Sequence, residues 1–150
     1  MAVQRPLVFL DASVLVAASH SPSGGSSVSM EVCRGCRFRA TLTARVVLEA
    51  RQNIAEKSGE PELLSFYQQI AALDPEMVPA PSPQRAAECA PLTTEKDAHV
   101  LAGALACGAA YLLTLDRRHL LTPTVLSADL PVRVLTPGDF LNYVASEGSR

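Results

Sequence analysis

An unbroken apolar run, Leu-Val-Phe-Leu at residues 7–10, ends on Asp11 and passes directly into the alanine-rich stretch 12–19. A run this short and uniformly apolar reads as a strand buried on both faces, the habit of a parallel sheet covered by helices. The acid at its end is the constraint. A buried, isolated carboxylate costs several kcal/mol unless it is hydrogen-bonded, paired or bound to metal. Asp11 therefore either caps the helix that follows or belongs to a site completed from elsewhere in the chain.

The alternation continues to the C-terminal end. Residues 7–10 form the first strand and 12–19 a helix; "SHSPSGGSS" is a loop by composition, and a second helix starts near residue 26. "FRATLT" supplies a strand near 38–42, and Val46, Val47, Ala50 and Ile54 recur at helical spacing after it. A turn and another helix follow, with Pro61 in the first turn. "MVPAPSPQ" carries one short extended segment and then a proline-rich loop. "TTEKDAHVLAGALACGA" is a helix ending at Gly108, and "AYLLTLD" is a buried strand ending in Asp116. The last strand lies in "PVRVL". It leads into a helix with Pro137 at its first position and a capping box of Thr136 with Asp139. Strands alternating with helices, and no internal repeat, predict one domain over residues 1–150: an α/β/α sandwich on a central parallel sheet of four to five strands. Only 5% of residues are aromatic against 48% hydrophobic overall, so the core is mostly aliphatic.

Charge and cysteine usage narrow the function. A net charge of −2 argues against a protein that coats nucleic acid non-specifically. Eleven of the thirteen basic residues are nevertheless Arg, with Arg34, Arg37, Arg39, Arg45 and Arg51 along one stretch and Arg117 and Arg118 further on. Arg forks grip phosphates in bidentate fashion, so a local phosphate-contacting role stays open beside a solubilising one. Cys33 and Cys36 form a lone CxxC; Cys89 and Cys107 lie far away without a matching pair or histidine, and reduced thiols are expected. No apolar run approaches the ~20 residues of a membrane span. The N-terminal residues lack the arrangement of a signal peptide, so a cytoplasmic protein is expected.

Four acids draw attention. Asp11 and Asp116 share a grammar, an apolar strand followed by Asp at its carboxyl end, which is where open parallel sheets bind ligands. Alone, Asp11 reads equally as a helix cap and Asp116 as a turn residue before "RRH". Asp97 fits a capping box with Thr94, yet lies just before the core-facing stripe Val100, Leu101, Ala104 and Leu105. Capping and ligand binding compete there for one carboxylate. Glu49, in "VVLEARQN", gains weight only from the company of the other three. Carboxylates converging on one cleft repel unless cations neutralise them, and an oxygen-only set suits Mg²⁺ or Mn²⁺. Such a site performs phosphoryl chemistry. No histidine or cysteine cluster offers a competing ligand set; His99 points elsewhere on its helix, to the surface or beside the acids.

Taken in order, these segments resemble the PIN-domain nucleases. "FLDASVLVAA" looks like the family's opening motif, Glu49 in "VVLEARQNI" matches the second acid, and Asp97 in "KDAHVLAGALACGAAYLLTLD" matches the third. Thr114 and Asp116 match the Thr-x-Asp of the fourth, and "VLTPGDFL" looks like the closing strand and helix. The resemblance implies a sheet ordered 3-2-1-4-5, with Asp11, Glu49, Asp97 and Asp116 as the catalytic, metal-binding acids and Ser13 and Thr114 supporting them. Asp11, Asp97 and Asp116 would hold the principal Mg²⁺ or Mn²⁺, and Glu49 a second ion or a bridging water. Many compact family members are VapC-like toxins that cleave RNA and are held inactive by an antitoxin.

The expectation is thus an endoribonuclease toxin, with Arg45, Arg117, Arg118 and His119 placed to meet RNA. A cognate antitoxin is its partner, a homodimer its expected assembly, and no membrane is involved. The alternative is a non-catalytic PIN module that binds RNA or a protein. A phospho-receiver domain is set aside, because it needs paired acids after the first strand and a lysine after a late one. Lys57 and Lys96 are both misplaced for that.

Overall fold

The strand Leu7–Leu10 (β1) takes the centre of a five-stranded parallel sheet in the computed structural model, which describes residues 4–148. The others are β2 (Arg39–Leu42), β3 (Glu76–Met77), β4 (Tyr111–Leu113) and β5 (Arg133–Leu135), in the order β3-β2-β1-β4-β5. This is the expected order. β1 pairs with β2 through Leu7↔Arg39 and with β4 through Val8↔Tyr111, so the order reverses at β1 and opens a crevice beyond its carboxyl end.

The helices are α1 (Ala12–His20), α2 (Gly25–Val32), α3 (Ala44–Lys57), α4 (Glu60–Leu73), α5 (Pro83–Cys89), α6 (Glu95–Ala106), α7 (Pro123–Leu126) and α8 (Pro137–Gly148). α1 to α4 connect β1, β2 and β3, while α5 and α6 carry the chain back across to β4. Right-handed crossovers in opposite directions place the two groups on opposite faces. Val8, Phe9 and Leu10 are fully buried, and the strand alternates between the two helical layers. Gly103 of α6 lies over Phe9: a Cβ there would stand 3.2 Å from Phe9 Cζ, so glycine lets the helix approach the central strand closely.

Several expectations need adjustment. The proline-rich loop after β3 is present over residues 78–82 but ends earlier than expected. Pro83 occupies the first turn of α5, where a missing N–H is harmless, and the Ser82 hydroxyl accepts from Arg85 N at 3.2 Å. The short α7, capped by Thr122, was not foreseen. β4 stops at Leu113, so Asp116 lies beyond the strand in the turn that follows rather than on its last residue. Of the helical stripe after β2, Val46, Ala50 and Ile54 are fully buried and Val47 only partly. The Thr136 hydroxyl accepts from Asp139 N at 3.0 Å, the first half of the capping box.

Candidate functional site

The carboxyl end of β1 is fastened to β4 before any side chain is considered: Asp11 N donates to Leu113 O at 3.0 Å. Asp11 is also the N-cap of α1, extended, with Oδ1 accepting from Ala12 N at 2.8 Å. Its Oδ2 accepts two hydroxyls, Ser13 Oγ at 2.8 Å and Thr114 Oγ1 at 2.7 Å. Each hydroxyl is itself held, because Leu115 N donates to Ser13 Oγ and Asp116 N to Thr114 Oγ1, both at 3.0 Å. Thr114 therefore locks Asp11 and the backbone of Asp116 to one another. Of the roughly four lone-pair positions of a carboxylate, three on Asp11 are filled and one remains. Asp11 is only 7% exposed. Burial raises its pKa above the ordinary value, the three donors oppose that rise, and the charge of Asp97 adds to it.

Asp116 is positioned by the turn it makes. Its Oδ1 accepts from Arg118 N and His119 N, each at 3.0 Å, while its carbonyl receives Leu120 N and Leu121 N. The turn reading of this residue holds, and the turn presents Asp116 to the cleft at the end of the sheet. Asp97 resolves in a similar way. Thr94 caps α6, accepting from Asp97 N at 3.2 Å, and its hydroxyl donates to Asp97 Oδ2 at 2.8 Å. The cap is supplied by threonine, so capping does not compete with a ligand role for Asp97.

His119 Nδ1 lies 3.3 Å from Asp97 Oδ2 and 3.3 Å from Asp116 Oδ2. One donor atom from each of these three residues falls within 4.8 Å of the others, the one such cluster among the described residues. Sequence reasoning placed His119 near phosphate and saw no histidine among the ligands; the structure sets it between two carboxylates. Thr93 Oγ1 donates to His119 O and ties this turn to the start of α6.

Glu49 reaches the cleft from α3. Arg45 Nε is 3.2 Å from its Oε1, and His99 Nε2 approaches the same oxygen at 3.2 Å, off the line of an aligned hydrogen bond. His99 is buried beside an acid, not at the surface. Burial, with the positive charge of Arg45, lowers its pKa, and Glu49 works in the opposite direction. Asp11, Glu49, Asp97 and Asp116 line one cleft of about 480 Å³, although Asp11 and Glu49 stand outside the three-residue cluster. Asn53 and Lys96 line it too. Neither was singled out for the site; Asn53, four residues after Glu49 on the same helical face, carried a usable signal. Arg45, Arg117 and Arg118 are exposed. Cys33 is buried, which pushes its thiol up to about 12, whereas Cys36 is exposed.

The donor set fits a hard divalent cation. Two carboxylates and an imidazole converge, a third acid retains one open position, and hydroxyls and amides fix the orientation of each.

The family model for the PIN domain matches residues 7–118. No curated protein sequence matches the chain significantly. Among solved structures, it is similar to PAE2754 from Pyrobaculum aerophilum, with a TM-score of 0.63 and 15% identity over 94% of this chain and 90% of that one. VapBC2 from Rickettsia felis, bound to a DNA fragment from its promoter, gives a TM-score of 0.61 at 13% identity, covering 86% and 96%. VapC20 from Mycobacterium tuberculosis, a sarcin-ricin-loop-cleaving toxin, gives 0.56 at 10%, covering 84% and 98%. At these identities the likeness establishes the fold. Among the described residues, no helix is long and apolar enough to cross a membrane.

Proposed function

The chain belongs to the PIN-domain family, and on that footing we propose that it is a Mg²⁺- or Mn²⁺-dependent endoribonuclease, the toxin of a toxin–antitoxin pair. The observation that carries this reading is the meeting of four carboxylates, from four separate chain segments, in one cleft at the point where the strand order reverses. The structural likeness to VapBC2 and to the toxin VapC20 supports it. A single domain over residues 1–150, a cognate antitoxin, a homodimer and a cytoplasmic setting belong to the same proposal.

Asp97 and Asp116 would hold the ion with His119 beside them, Asp11 would complete the set through its remaining lone pair, and Glu49 would bind a second ion or its water. A bound divalent ion supplies a water of lowered pKa and positive charge at the leaving oxygen. The chain's own residues do the positioning. Ser13 and Thr114 keep Asp11 aligned, the amides of Arg118 and His119 fix Asp116, and Thr94 fixes Asp97. Arg45, Arg117 and Arg118, exposed near the cleft, would contact the RNA phosphates.

The test is cleavage of single-stranded RNA with Mg²⁺ or Mn²⁺ by the wild type and by Asp11→Asn and Asp97→Asn, each shown to be folded. Loss of cleavage in both variants is expected. Equal cleavage by all three refutes the proposal, and RNA binding without metal binding would favour the non-catalytic module.

A further inference from the structure

In a parallel sheet every strand begins on the same edge, so residues far apart in sequence gather there. At this amino edge stand Arg5, just before β1, Arg39 at the start of β2, and Arg133 at the start of β5. Arg37 precedes β2 by two residues. Chain geometry places the edge on the order of 13–20 Å from Asp11, at ~3.3 Å per strand residue.

Three of these guanidiniums are held by neutral partners. Arg5 Nη1 donates to Gly35 O at 3.0 Å. The Arg37 guanidinium lies 5.4 Å from the Phe38 ring centroid, and that of Arg133 lies 4.6 Å from the Tyr143 centroid. The rings belong to one cluster: Phe38 packs edge-on against Tyr111 and Phe140, and Tyr111 packs against Tyr143. Arg5 and Arg39 line one cleft together with Glu76. Glu147 is near enough to Tyr111 to act on it electrostatically. No described carboxylate, Glu76 and Glu147 included, comes within 4.0 Å of any of the four guanidiniums. Three of the four cations are therefore oriented by neutral partners, the fourth, Arg39, lines the neighbouring cleft, and none of the four is ion-paired among the described residues.

We propose that this edge, through Arg5, Arg37, Arg39 and Arg133, binds the phosphate backbone of RNA outside the cleft. The proposal rests on RNA being the substrate. Phe38, Tyr111 and Phe140 are buried, and the partly buried Tyr143 has Arg133 over its ring, so little aromatic face is left for a base to stack on. Recognition is consequently electrostatic and indifferent to sequence. A substrate long enough to reach both edges gains affinity that a short one does not.

The experiment measures binding of a long oligouridylate, in EDTA so that nothing is cut, by wild type, Arg37→Gln/Arg133→Gln and Arg37→Lys/Arg133→Lys, with matched melting temperatures. Each lost contact removes ~0.7 from the slope of log K against log salt on a single strand. The Gln pair should therefore lower the slope by about 1.4 and the affinity about tenfold near 0.15 M salt. The Lys pair should keep most of both. Cleavage of a dinucleotide, too short to span both edges, should match wild type. Unchanged affinity and slope in the Gln pair overturn the proposal, as does a loss seen on duplex DNA but not on RNA. If the wild type cuts no RNA, the reading of the cleft fails while the binding measurement still decides this one.

Discussion

Thr114 is the residue on which the coupling of the two strand-end acids depends, and Thr114→Val isolates what its hydroxyl does. The side chain has no exposed surface; it donates to Asp11 Oδ2 at 2.7 Å and accepts from Asp116 N at 3.0 Å. Valine keeps the shape, so no cavity term enters. The lost hydrogen bond to a charged group is worth about 1.5–3 kcal/mol, and the orphaned Asp116 N–H adds about 1 kcal/mol, at the low end because Asp116 is half-buried. A total of about 2–4 kcal/mol corresponds to a Tm lowered by about 5–15 °C for a chain of this length. The pH dependence carries the sharper test. Burial raises the pKa of Asp11 and Thr114 pulls it back, so removing the hydroxyl raises it further. The donation favours the ionised carboxylate only. The deficit of the variant is therefore full above the folded pKa of Asp11 and shrinks as the pH falls through it. Urea unfolding in EDTA between about pH 4 and 8 measures this, with Thr114→Ser as the hydroxyl-retaining control. Loss of a buried methyl should cost Thr114→Ser about 1 kcal/mol at every pH. A deficit in Thr114→Val that is flat with pH, or matched by Thr114→Ser, would show that the residue acts through packing alone and would refute the coupling.

Three further outcomes follow from the same geometry. Because the pKa of Asp11 is raised on folding, its contribution is most favourable in acid and declines as pH rises from its ordinary value of 3.8 through the folded one. The stability of metal-free wild type relative to Asp11→Asn should decrease over that window, and an increase would contradict the burial argument. Saturating Mn²⁺, at about a hundred times its Kd, should stabilise the wild type by about 2.7 kcal/mol, and Asp97→Asn or Asp116→Asn should lose most of this shift in a thermal melt. A full shift in both variants would place the ion elsewhere. Gly103→Val should cost about 1–3 kcal/mol in urea unfolding, because the added atoms press on Phe9 and Thr43, 3.2 and 3.6 Å from the Cβ position. Wild-type stability there would mean that the central strand yields more easily than its full burial implies.

The sheet was legible in the sequence because buried parallel strands are apolar throughout and punctuated at their carboxyl ends. Asp11 and Asp116 could be placed by that punctuation alone, although β4 stops short of Asp116 and a turn delivers it. That turn marks the boundary of what the pattern could reveal. His119 follows Asp116 by three residues and reads as part of an exposed basic loop until the Asp116 carboxylate accepts two amides and folds the chain back on itself. Thr93, from another segment, then fixes it against α6. Neither step has a periodicity to find. α5 was hidden for a different reason: proline breaks a helix interior but is welcome in the first turn, and only the capping hydroxyl of Ser82 distinguishes the two cases. Among the amino-edge arginines, Arg37 and Arg39 stand out in the sequence as part of a basic stretch, but nothing local joins them to Arg5 and Arg133. Positions 5, 37, 39 and 133 form no motif, and they share an edge only because the strands run parallel. The same directionality that gathers the acids at one end of the sheet gathers these cations at the other. The polarity follows from topology, and a reading confined to local motifs finds the acidic half of it alone.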